Sequence, residues 1–415
     1  MARLLAIMGS GETAPTMVKP HRQLFERLNP GAGPAVVLDT PYGFQANADD
    51  ISARAVEYFA ASVGQAVEAV ELRRVDGADP VAVEAALARL AVARWVFAGP
   101  GSPTYALQQW AGTDVPDLLA DKLAHGGCVV FASAAALTLG RYTVPVYEVY
   151  KVGADPVWAD GLDLLGALGP DVAVIPHYDN AEGGTHDTRF CYLGERRLAA
   201  LEAQLPDGGW VLGVDEHTGC VFDLDAGTAA VVGNGVVTVR RAGKSELIGS
   251  GETVPIAALV DLAFGKRGAA APLPPPPPPS GEAAPTALHA EIRRLETEFD
   301  TAVAALDVDA AVRAVLELDD TLAAWSGDTT QSDAGDRGRA ATRRMVVRLG
   351  ELARTGARDP RQVVGGFVET LLGERTAARA GRRFDDADRI RDALIGLGIE
   401  VRDTPDGTVW ELLPR

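Results

Sequence analysis

The sequence predicts an α/β domain with a mainly parallel sheet, then a proline-rich linker, then an α-helical bundle closed by a terminal β-hairpin. Three observations predict it. Residues 1–265 alternate short β-branched runs with amphipathic stretches, the pattern of repeated strand–helix–strand units. Pro274 through Pro279 form an unbroken proline run. From Ala287 onward apolar residues recur at helical spacing almost to the end of the chain.

Taken in order, strands are expected at 3–8, 34–39, 67–72, 94–98, 127–131 and 172–176, and helices at 48–63, 80–92, 114–125 and 192–204. After a strand at 210–214, three short runs with turn residues between them (219–223, 228–232 and 236–240) predict antiparallel strands at one sheet edge. Residues 266–286 read as a linker. Its proline run should adopt polyproline II, rising about 3.1 Å per residue, which makes a stiff spacer of about 19 Å; a ligand for an SH3-type domain is the alternative. The domains are therefore 1–265, 266–286 and 287–415. In the last, helices are expected at 288–305, 308–325, 336–356, 360–379 and 384–396. The stretch from Gly398 to Trp410 alternates apolar and polar residues around Pro405-Asp406-Gly407, a hairpin signal.

Composition bounds the function. A chain of 415 residues allows two or three domains, each with its own core. Apolar residues at 47% and charged residues at 23% fit a soluble globular protein. Cys128, Cys191 and Cys220 leave one thiol unpaired in any pairing, so no disulfide framework is implied and the cytoplasm is the expected compartment. The run Leu4–Met8 is too short for a secretory segment and suits a buried first strand. No stretch approaches the roughly 18 continuous apolar residues of a membrane span. The formal charge of −18 argues against nonspecific binding to a polyanion. Residues 288–415 hold 19 arginines and no lysine against 24 carboxylates, so arginine clusters lie on a mildly acidic module.

The most informative segment is 127–140, GCVVFASAAALTLG, where an apolar strand runs into small residues around Ser133 and a short helix follows. Such a turn holds a hydroxyl above a sheet edge, although buried structural serines after strands are common. Around it stand Gly9-Ser10-Gly11-Glu12, Gly99-Pro100-Gly101-Ser102, Pro176-His177-Tyr178 and Gly213-Val214-Asp215-Glu216. With these motifs the N-terminal 265 residues resemble the peptidase S51 and cyanophycinase group, of the class I glutamine amidotransferase-like (flavodoxin-like) fold. The resemblance implies Ser133 as nucleophile, His177 as general base and Glu216 as third member, with Asp215 beside it. It also implies an oxyanion hole from the N–H groups of Ala134 and Gly101, each donor worth about 3 kcal/mol.

The sequence departs from the group where F-A-S-A-A-A stands for G-x-S-A-G-A. The Ala135 β-carbon crowds the turn, Phe131 is expected to fill substrate space, and Pro100 has no N–H to donate. A binding module on the same fold is thus the second reading. The loop 176–197 gathers His177, Asp179, Glu182, His186, Asp187 and Cys191, a third reading as a metal site; the triad reading expects no metal and no cofactor. Arg189 is expected to bind a substrate carboxylate, with a surface salt bridge as the alternative. His217 beside Glu216, and His21, His125 and His289 in helices, read as structural.

The tail carries Gly373-Glu374-Arg375-Thr376-Ala377-Ala378-Arg379, then Ala387-Asp388-Arg389-Ile390-Arg391, Gly398-Ile399, and Asp403-Thr404 through Gly407-Thr408-Val409-Trp410. It resembles the C-terminal tRNA-binding end of cysteinyl-tRNA synthetase, over about the whole helical domain. That implies tRNA contact through Arg375, Arg379, Arg383, Arg391 and Trp410, although helix-surface ion pairs and a core place for Trp410 are open alternatives. The synthetase's H-I-G-H and K-M-S-K-S elements are absent, which excludes aminoacylation. The resulting expectation is a hydrolase of a peptide or amide substrate with a tRNA-binding tail. The alternatives are an inactive adaptor, or a tail that binds protein or forms a homodimer.

Overall fold

Strand alternation sets the architecture of the N-terminal unit. Its strands are β1 (Arg3–Met8), β2 (Ala35–Val37), β3 (Glu68–Ala69), β4 (Trp95–Ala98), β5 (Gly127–Ala132), β6 (Tyr142–Thr143), β7 (Ala159–Asp160), β8 (Val172–Ile175), β9 (Trp210–Val214), β10 (Thr218–Asp223), β11 (Thr228–Gly233), β12 (Val236–Arg241), β13 (Lys244–Gly249) and β14 (Thr253–Pro255). These come from a computed structural model that describes residues 2–28, 33–169, 171–181, 186–266, 288–326, 334–355, 360–404 and 407–413. The linker expected at 266–286 lies outside the described residues apart from Lys266, as do Glu182, Pro405 and Asp406.

The strands form two sheets. One has the order β14-β11-β10-β1-β5-β4-β2-β3, parallel from β1 to β3 and antiparallel from β1 to β14. The other has the order β13-β12-β9-β8-β6-β7. The period of two then decides each core. Val129 and Phe131 of β5 and Val172 and Val174 of β8 enter one core shared by both sheets, together with Leu5, Ile7, Trp110 and Trp210. Cys128, Val130 and Ala132 face the opposite core under the helix Val18–Leu28. Ala173 and Ile175 pack beneath the helix Gly194–Glu202.

One expectation is corrected here. The runs 219–223 and 228–232 do form an antiparallel edge, but 236–240 does not continue it. β12 pairs with β9 and β13 in the second sheet. Asp215 directs that exit, since its carboxylate accepts from the Val236 N–H at 2.9 Å. The helix expected at 48–63 is α-helical over Ala48–Tyr58, then widens to one π turn, Phe59–Val63, that stops at Gly64.

Two compact units divide the chain: residues 1–291 with 321–336, and residues 292–320 with 337–415. The second unit draws on the helices Leu288–Ala304, Val308–Ala324, Ala334–Thr355, Pro360–Ala380 and Phe384–Gly396, and on the hairpin β15 (Ile399–Thr404) with β16 (Gly407–Leu412). Val368, Leu372, Leu394 and Ile399 form a small core, with Ile390, Val401 and Trp410 against it. No helix among the described residues is long and apolar enough to cross a membrane. Cys128, Cys191 and Cys220 are buried free thiols.

Candidate functional site

The site forms where parallel strands end. Ser133 follows β5 directly, His177 follows β8 by two residues and Glu216 follows β9 by two, so three C-terminal strand ends, one from the first sheet and two from the second, converge. Gly9, just past β1, permits the approach. Its carbonyl accepts from the His177 N–H and its N–H donates to Thr218 O, while a β-carbon there would lie 2.0 Å from Asp215 O.

Ser133 is half-buried and takes φ +50°, a left-handed conformation that a non-glycine residue holds only when its surroundings force it. Its Oγ lies 2.9 Å from His177 Nε2. His177 Nδ1 lies 2.7 Å from Glu216 Oε1. The Asn180 amide donates to that same oxygen at 3.0 Å, and Asp179 accepts from the Glu216 N–H at 2.8 Å. Burial would raise the Glu216 carboxyl, but the His177 hydrogen bond and charge and the Asn180 amide outweigh it and hold the group below its usual value. Asp215 behaves oppositely. Burial, and the charges of Asp179 and Glu216, push its carboxyl up to about 6. Burial first, then Glu216, raises Asp179 as well.

Ser133, Ala134, His177, Pro100 and Gly101 line one small cleft of about 70 Å³, closed by Tyr147, Tyr150, Lys151, Cys191 and Tyr192. Among the described residues, neither the Gly101 nor the Ala134 N–H has a backbone acceptor, whereas the Ala135 N–H donates to Gly99 O and that of Ser102 to Pro41 O. Gly101 takes φ +136°, and a β-carbon there would meet Pro41 O at 2.0 Å, so only glycine fits. Ser102 Oγ accepts from the Tyr105 N–H and starts the helix Pro103–Trp110, which fixes the loop from behind.

Several expectations change. Phe131 is not part of the cleft lining: it is fully buried in the shared core beside Trp110. The Ala135 β-carbon is likewise buried in that core. Arg189 lies outside the cleft lining, and its guanidinium is already paired in bidentate fashion with Asp187, at 2.8 and 2.9 Å. In the loop considered for a metal, Asp187 is bound to Arg189 and to the Glu195 N–H, His186 is exposed, and Cys191 faces the cleft as a thiol pushed up to about 12 by burial. No group of three or more ligand side chains is gathered there among the described residues. His217 sits with Nδ1 3.1 Å from Thr16 Oγ1; His21 is wholly buried, and His125 pairs with Asp121. Sequence reasoning missed Asn180, Tyr147, Tyr150, Lys151 and Tyr192. Asn180 had a signal, an amide three residues after the histidine; the residues at 147–151 stand in a stretch with no clear period.

In the second unit, Arg375 is 3% exposed and forms a bidentate pair with Asp403, both contacts 2.8 Å. This corrects its expected place on an RNA surface. Arg379 joins the same carboxylate at 2.6 Å, and Thr408 Oγ1 donates to it. Arg383 and Arg389 pair with Asp386, and Arg391 with Asp392. Trp410 packs on the core, donates to Glu369 and lies under Arg361.

Comparison with known proteins follows the same division. Residues 366–410 match the family described as the cysteinyl-tRNA ligase anticodon binding domain. The cysteine–tRNA ligase of Leifsonia xyli subsp. xyli is 36% identical over 117 residues, 26% of this chain and 24% of that protein. That of Halorhodospira halophila is 41% identical over 87 residues, 19% of each. The chain therefore spans about a quarter or less of these relatives. A solved peptidase from an acI-B1 Actinobacterium aligns with TM-score 0.50 and 19% identity, covering 61% of this chain and 97% of that one. The likeness is one of fold. The N-terminal unit resembles a peptidase, and the C-terminal module resembles the ligase's anticodon-binding end.

Proposed function

We propose that the N-terminal unit is a serine hydrolase acting on a peptide or amide bond, and that the C-terminal module contacts tRNA. One observation carries the first part: a serine hydroxyl, an imidazole and a carboxylate stand in line at 2.9 and 2.7 Å, opening on a cleft. Ser133 Oγ attacks the carbonyl carbon as His177 Nε2 takes its proton, and the carbonyl electron pair moves to oxygen. The N–H groups of Gly101 and Ala134 accept that developing charge as hydrogen-bond donors. The C–N bond then breaks, with the imidazolium giving its proton to the leaving amine. Water attacks the acyl-enzyme under the same base and restores Ser133. Glu216 holds the ring in the tautomer that leaves Nε2 free to accept, and it stabilises the imidazolium. The cleft admits a compact group next to the scissile bond, so the rest of the substrate lies outside it.

The tRNA part is supported by the match of residues 366–410 to an anticodon binding domain. The exposed arginines of the helix Phe384–Gly396 suit phosphate contacts that position a backbone without reading bases.

A fluorophosphonate probe tests the first part. A covalent adduct on Ser133, lost in Ser133→Ala, is expected; a folded protein that gains none sinks the hydrolase and leaves an adaptor that binds through this cleft. A gel shift with total tRNA across a salt series tests the second, and no shift at low salt removes it.

A further inference from the structure

The turn that carries His177 also grips Glu216, at two points. Asn180 N–H donates to His177 O at 3.2 Å, closing the four residues 177–180 into a turn. From that turn Asp179 takes the Glu216 N–H, and the Asn180 amide, 1% exposed, donates to Glu216 Oε1. Oε1 is the oxygen that faces His177 Nδ1. We propose that Asn180 is a positioning residue of the triad, its side-chain N–H fixing the Glu216 carboxylate so that Oε1 meets the imidazole.

The surroundings explain why a neutral donor stands there. Glu216 is faced by the charge-bearing groups His177 and His217 and by the carboxyls of Asp179 and Asp215, with the buried Cys191 thiol nearby. Two further carboxyls already crowd the site, so a third anion at 180 would compete for the imidazole proton. An apolar residue there would leave Oε1 with His177 as its remaining side-chain donor among the contacts described. The Asn180 amide meets both conditions, since it donates and stays uncharged. Without it, the carboxylate is less well solvated by the protein and binds the imidazolium more tightly. The base would then give up its proton at higher pH.

The inference rests on Ser133 being the nucleophile, and the experiment separates the two. The rate of inactivation by a fluorophosphonate is measured against pH for the full chain and for Asn180→Ala and Asn180→Asp. Wild type should label at Ser133. Asn180→Ala should label about tenfold to a hundredfold more slowly at neutral pH, the loss of one hydrogen bond to a charged group, with its acid limb moved to higher pH. The near-isosteric Asn180→Asp should show at least as large a shift, because it replaces the donor with a charge. A purely structural role predicts instead that Asn180→Asp keeps the wild-type rate and limb, and that result overturns the proposal. If Asn180→Ala does not fold, the Asp variant decides alone. Absence of labelling in wild type would instead overturn the nucleophile itself.

Discussion

Ser133 and His177 meet at 2.9 Å with both backbones in the left-handed region, at φ +50° and +46°. Neither residue has the freedom of glycine, so each end of this hydrogen bond is held by its surroundings at a cost. Strain of this kind amounts to about 1–3 kcal/mol per residue. We expect Ser133→Gly and Ser133→Ala both to abolish fluorophosphonate labelling, and the glycine variant to be the more stable of the two by about 1 kcal/mol. Thermal unfolding of the pair checks this. Equal stabilities would mean that the turn imposes no strain.

Gly101 gives a second expectation. A β-carbon there would stand 2.0 Å from Pro41 O, and the φ of +136° is closed to other residues. Gly101→Ala must therefore move the 99–102 loop off Pro41. Labelling should fall by about a hundredfold, as for removal of one oxyanion donor, while Ser133 Oγ and His177 Nε2 stay in contact. Undiminished labelling would show that the loop supplies no donor to the reaction.

The order of the site was legible in the sequence because each member sits just after a strand: small residues around Ser133, Pro176 before His177, and Gly213-Val214 before Asp215 and Glu216. Choosing Glu216 over Asp215 rested on resemblance, and their hydrogen-bond partners explain it. Asp215, just past the end of β9, is taken by the Val236 N–H, while Glu216 enters the turn beyond it and meets His177. Phe131 was misread because period two says that it and Ala132 face opposite cores without saying which is the site side. Arg375 was misread because its partner, Asp403, lies on a hairpin strand 28 residues away, and no local spacing reveals such a pair. In the wall, Tyr150 and Lys151 belong to a π turn, Glu148–Val152, and Tyr147 caps it, so their side chains follow neither strand nor α-helix period.

Asp215 sets a pH dependence of stability. Its folded-state carboxyl keeps its proton to about pH 6, while the ordinary value is 3.8. Between these values the folded state binds more protons than the unfolded chain, so stability is lost as pH rises through that window. Asp215→Asn keeps an oxygen for the Val236 N–H and removes the charge. We expect the variant to gain stability relative to wild type between pH 4 and pH 7, read as the difference in urea midpoint at the two pH values. A difference that is constant, or that shrinks with pH, would contradict the assignment.

The arginines of the tail divide by burial, and the division makes their tRNA roles separable. The Arg389 and Arg391 side chains are 79% and 44% exposed, and their partners Asp386 and Asp392 are surface carboxylates. Pairs of this kind contribute at most about 1 kcal/mol, so a phosphate can displace them. Arg375 is held in a bidentate pair with Asp403 and anchors β15 to the helix Pro360–Ala380. If the module binds tRNA, Arg389→Ala and Arg391→Ala should each reduce the slope of log affinity against log salt by about 1. Arg375→Met should leave the slope unchanged and act through the hairpin, with faster amide exchange across residues 399–412. A slope that falls in Arg375→Met while the hairpin stays protected would place that guanidinium on the RNA after all. Unchanged slopes in both exposed variants would move the RNA surface off the helix Phe384–Gly396.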